Sequence, residues 1–134
     1  MNKDIVRRDK LLFGTYDPEK YMGGIRHFTC SRDVIEKLIE EDFIELDERQ
    51  NYSPSTQEFM DMTDPEYGLG NVRFHGYAVG SNRDDYRVTI DAIDVEVSDD
   101  DFDNLISIIR ECRSADEFDI EHNSPSFFLH AWWD

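Results

Sequence analysis

The sequence predicts an α+β fold, a small antiparallel sheet built on a central hairpin with two or three helices packed on one face. Three observations carry this reading. Two segments, "VRFHGYAV" (72–79) and "YRVTIDAI" (86–93), alternate apolar and polar residues on either side of the turn-rich "GSNRD". Segments with helical period and capping signals stand before and after that hairpin. With 134 residues and no repeat, low-complexity linker or break in composition, the chain reads as one compact domain over residues 1–134.

Taken in order, the chain predicts a short helix around Ile5 to Phe13, a turn-rich "GTYDPEKYMGG", and a strand at "IRHFT". Residues 31–41, "SRDVIEKLIEE", predict a helix. Ser31 can cap it, Asp33 suits the positive first turn, and Val34, Ile35, Leu38 and Ile39 form one apolar stripe. "DFIEL" then reads as extended. In "NYSPSTQEFMDM" a second helix starts either at Ser53, with Pro54 as first residue, or at Ser55, with Glu58 completing a capping box. Phe59 and Met62 would face inward, and Pro65, Gly68 and Gly70 stop the helix.

In the hairpin, pairing Val79 with Asp85 sets Ala78 against Tyr86, Gly76 against Val88, Phe74 against Ile90 and Val72 against Ala92, an apolar face. The opposite face then carries Tyr77 beside Arg87, His75 beside Thr89, and Arg73 beside Asp91, all favourable cross-strand contacts. Beyond Ala92 the apolar phase shifts to Ile93, Val95 and Val97, which predicts a bulge or a strand that swaps faces. A last helix, "SDDDFDNLISIIREC", is predicted with Ser98 as cap, aspartates in its first turn, Val97 stapled on Phe102, and Leu105, Ile106, Ile108, Ile109 and Cys112 inward. "SFFLHAWWD" closes the chain as a final strand or an aromatic tail over the core.

Charge is the dominant compositional signal. There are 31 acidic residues (19 Asp, 12 Glu) against 14 basic ones (10 Arg, 4 Lys), a formal net charge of −17. Such a chain repels phosphate backbones and anionic lipid, so direct nucleic-acid or membrane binding is not expected. The helix–helix–hairpin order resembles DNA readers in outline. The second helix, however, offers Gln57, Glu58 and Asp61 without one Lys or Arg to hold phosphate or read guanine. An Asp-rich, Lys-poor surface also suits a cytoplasm of high salt, although eleven Ile and only four Ala speak against that. The N-terminal segment breaks its apolar residues with charges, unlike a signal peptide or span, and Cys30 and Cys112 lack metal or redox spacing. Both read as buried thiols of a cytoplasmic protein.

Chemical motifs are absent where they would be diagnostic. There is no GxSxG, phosphate loop or HExxH, and no cofactor or metal is expected. The run from Asp99 imitates the start of a calcium loop, then places Asn104 where glycine must bend the chain and Arg110 where a glutamate must chelate. "DEFDIEH" reads as an exposed acidic turn. Two candidate surfaces remain. One is the outer hairpin face with Arg73, His75, Tyr77, Arg87 and Asp91. The other is an acidic surface of Glu40, Glu41, Asp42, Glu45, Asp47 and Glu48, with Asp99, Asp100 and Asp103. The functional expectation is a non-enzymatic acidic interaction module for a basic protein partner, acting as an inhibitor, immunity-type protein or nucleic-acid mimic. The alternatives are a small cytoplasmic domain whose acidity is salt adaptation, and a hydrolase-like enzyme that would need a cleft joining His75 to carboxylates.

Overall fold

The computed structural model describes residues 1–134. Its elements run α1 (Ile5–Phe13), β1 (Ile25–Ser31), α2 (Arg32–Glu40), α3 (Thr56–Met62), β2 (Val72–Val79), β3 (Val88–Ser98), α4 (Phe102–Glu111), β4 (Glu117–Asn123) and β5 (Ser126–Trp132). All five strands form one antiparallel sheet in the order β1-β2-β3-β5-β4. The α+β class is therefore observed, with four α-helices. None is long and apolar enough to cross a membrane.

Alternation assigns the two faces of the sheet. Phe28 and Cys30 of β1, Phe74 and Ala78 of β2, Val88, Ile90, Ile93, Val95 and Val97 of β3, and Leu129 and Ala131 of β5 point to the helices. They form one buried cluster with Leu12, Ile35, Leu38, Phe59, Leu105, Ile108 and Cys112. Phe59 of α3 sits edge-on to both Phe74 and Trp133, at 6.2 and 5.5 Å between ring centroids. At one end of the sheet α1 is fastened by a fully buried Arg8. Its guanidinium donates to the Val79 carbonyl (2.8 Å), to Asp9 and to the Tyr21 hydroxyl.

Local signals explain most helix boundaries. Asp4 accepts from the Arg7 amide to open α1, and Gly14 closes it at a φ of 80° that favours glycine. The capping box of Ser55 and Glu58 opens α3, which settles the choice between the two expected starts. Ser31 precedes α2 as expected but makes no side-chain cap hydrogen bond.

Several expectations are corrected. "DFIEL" is not extended. The chain reverses at Asp42, whose φ is 63°, so that Phe43 and Ile44 are buried behind α2. The last helix begins at Phe102 with Asp101 as cap, because β3 continues to Ser98 and the aspartates form the intervening turn. Phe102 is exposed and staples nothing. The segment expected as an acidic turn is β4, an edge strand with every residue exposed, paired with β5 from Glu117↔Trp132 to Asn123↔Ser126.

The hairpin register also differs. Ala78 pairs with Val88, Tyr77 with Thr89 and Gly76 with Ile90; after a bulge His75 pairs with Ala92, Phe74 with Ile93 and Arg73 with Asp94. The ladder stops sooner because Tyr86 leaves it. Its ring is buried against Lys3 and Arg8, each 4.8 Å from the centroid, and its hydroxyl donates to the Asn2 carbonyl. The expected bulge exists, but it inserts Asp91 rather than following Ala92.

Candidate functional site

No helix covers the outer face of the sheet, so the outward side chains of five strands meet there in rows. One row runs Thr29, His75, Ala92, Trp132, Glu117; the next Ser31, Arg73, Asp94, His130, Asp119; a shorter third Glu96, Phe128, Glu121. Two shallow depressions occupy this face. The larger, of about 740 Å³, is lined by Arg73, Asp94, Glu96, Asp119, Glu121, Phe128 and His130 among others. The smaller, of about 350 Å³, lies against His27, Thr29, His75, Tyr77, Asp91, Trp132 and again His130.

A hydrogen-bonded chain crosses the rows. Thr29 Oγ1 is 2.8 Å from His75 Nδ1, His75 Nε2 is 2.6 Å from Asp94 Oδ2, and Asp94 Oδ1 is 2.5 Å from His130 Nδ1. Each ring directs one nitrogen at the carboxylate, and a His75 proton placed on Nε2 toward Asp94 leaves Nδ1 to accept from the Thr29 hydroxyl. Partial burial pushes the Asp94 carboxyl up, but the hydrogen bonds and charge of His75 and His130 outweigh it and hold the group below its ordinary range. Hydroxyl, imidazole and carboxylate thus stand in the order of nucleophile, base and orienting acid. The hydroxyl, however, belongs to an exposed β-branched residue on an open face, and Asp94 is shared with a second ring.

Asp91 behaves oppositely. Burial raises its pKa, only partly countered by the hydrogen bond from Trp132 Nε1 at 3.2 Å and by the neighbouring His27 and His75. Tyr77 stacks obliquely on His27, at 4.5 Å and 53°, and its phenol is raised by burial and by the charge of Asp91.

Of the expected hairpin-face residues, the structure keeps Arg73, His75, Tyr77 and Asp91 on the outer face and separates Arg87. That guanidinium folds back onto Asp85 (2.8 Å) and reaches Gln50. The expected pairs Tyr77–Arg87, His75–Thr89 and Arg73–Asp91 do not form, because the shift in register offers Thr89, Ala92 and Asp94 instead. The acidic residues are tied to separate local partners. Glu41 is clasped by Arg7 at 2.8 Å, Glu40 lies 3.6 Å from Lys37, and Asp42 lies 3.5 Å from the N-terminal ammonium. Glu45 and Asp47 are exposed, and Glu48 is partly buried and raised by that burial. Asp99 binds His122 and Ser124 at the other group's position, Asp100 takes its amide to Ser98 Oγ, and Asp103 stands in the first turn of α4. No hydrogen bond or ion pair joins the two groups.

Thr29, Asp94, Glu96, Asp119, Glu121, Phe128, His130 and Trp132 were not foreseen as a group. The alternation of "FLHAW" and "EFDIE" does carry that signal, but only once both segments are recognised as neighbouring strands. The cysteines take no part: both thiols are free and buried, and burial pushes each up to about 12. Nor is any group of three or more His, Cys, Asp or Glu arranged to hold a metal ion. Compared with protein-family models, curated proteins and solved structures, the chain matches none.

Proposed function

We propose that the chain is a non-enzymatic interaction module that binds a basic protein partner on the open outer face of its sheet. The observation that carries this reading is the row Glu96–Phe128–Glu121 in the larger depression. Phe128 is 42% exposed, and a carboxylate stands beside it on each neighbouring strand. A Lys or Arg side chain laid across that ring gains a cation–π contact and an anion on either side. Asp94 and Asp119 extend the anionic lining by a further row, and Arg73 is the one Lys or Arg in it. The net charge of −17 adds long-range attraction that raises the rate of encounter. An inhibitor, an immunity-type protein and a nucleic-acid mimic would all use such a face.

A charge-matched comparison tests the site against mere net charge. Binding of a labelled octa-arginine peptide is measured by fluorescence anisotropy for the Glu96→Gln/Glu121→Gln pair and for Asp100→Asn/Asp103→Asn, each of which removes two negative charges. At about 0.7 kcal/mol per partly exposed pair, the first weakens binding roughly tenfold and the second changes it little. Equal losses in the two variants overturn the assignment of the face.

A further inference from the structure

The smaller depression holds an anomaly that the larger one lacks. Asp91 is the inserted residue of the β3 bulge, only 6% exposed, and forms no ion pair. Its Oδ2 accepts from the Trp132 indole, no other side chain hydrogen-bonds the carboxylate, and the residue lines the depression. A carboxylate withdrawn from water without a cation is costly to keep, and the register that would have given it Arg73 is not the one adopted. Around it the depression is lined by the rings of His27, His75, Tyr77, His130 and Trp132. Aromatic walls around a buried anion form a site with the chemistry of cation recognition.

We propose that this depression is a subsite for an organic cation, a guanidinium or alkylammonium group, seated on Asp91 and walled by Tyr77 and Trp132. The proposal rests on the reading of the outer face as a surface for basic partners and gives that partner an anchoring side chain. The same chemistry is also offered by a free small guanidine or amine. His130 lines both depressions, so a chain crossing the larger one reaches the smaller without leaving the face.

The test follows the two indole N–H signals in ¹H–¹⁵N NMR spectra of the whole chain. Trp132 borders the subsite; Trp133, 1% exposed and bonded to Ser114, serves as internal reference. Titration with ethylguanidinium is expected to move the Trp132 signal saturably, while the neutral ethylurea does not and Trp133 stays in place. Asp91→Asn, which keeps an acceptor for the indole, weakens the effect at least about tenfold, and Tyr77→Leu weakens it about fivefold. A shift that survives Asp91→Asn, or that ethylurea reproduces, overturns the subsite.

A second arm separates the sources of the cation. If an arginine-containing basic peptide moves Trp132 and its citrulline counterpart does not, the subsite takes a partner's side chain. If only free ethylguanidinium moves it, the subsite stands as one for small cations. If the peptide binds in a manner sensitive to Glu96→Gln/Glu121→Gln yet leaves Trp132 unmoved, the face is retained and the anchoring role of Asp91 falls.

Discussion

Asp91 and Asp94 lie three residues apart on one strand and titrate in opposite directions, which shows how far a side chain's chemistry depends on its partners rather than its type. Asp94 accepts from two imidazoles; Asp91 is more deeply buried and has one indole. The sign for Asp91 follows from its raised pKa. The protonated carboxyl suits the buried site, so its contribution to stability is intact below the ordinary 3.8 and is lost as the pH rises through the higher folded-state value. Asp91→Asn is permanently uncharged and is therefore expected to be more stable than the parent at pH 7, by about 1 kcal/mol. That gain should vanish as the pH falls toward 3.8, as urea unfolding at a series of pH values would show. The parent chain thus retains a destabilising carboxylate that asparagine could replace, a pattern shared by binding residues.

At the scale of elements, the β2–β3 bulge organises the outer face. A Cβ built on Gly76 would fall 1.9 Å from the Thr89 carbonyl oxygen and 2.8 Å from the Phe28 ring, so neither the partner strand nor the core leaves room. Gly76→Ala is expected to cost about 3 kcal/mol or more, and denaturant unfolding followed by circular dichroism measures it. Local grammar explains what could be read in advance. The Ser55/Glu58 box, the stripe of α2, the alternation of β2 and the phase change in β3 each depend on residues close in sequence. What could not be read depends on distant groups. The hairpin register turns on Tyr86 finding Arg8 and Asn2, and β4 has no buried residue to mark it, only β5 beside it. Because the site is assembled from rows across five strands, missing one strand concealed Asp119 and Glu121 and half of the setting of Phe128.

For the whole molecule, a charge of −17 opposes compaction, and salt relieves that repulsion. An interaction module is expected to be folded at about 0.05 M KCl, with its melting temperature rising by roughly 5–10 °C as the Debye length shrinks from above 10 Å to below 3 Å. Unfolding at low salt, with a gain of tens of degrees on adding KCl, would instead assign the acidity to adaptation to a saline solvent. The same charge bears on the free edge of β4. Two copies meeting edge to edge and antiparallel about Ile120 would bring Glu117, Asp119 and Glu121 of each onto one shared face, six carboxylates on a two-stranded seam. An exposed strand of this length would otherwise template growth of a continuous sheet. Like charges facing across that seam oppose such pairing, a penalty that a strand bringing positive charge would not meet.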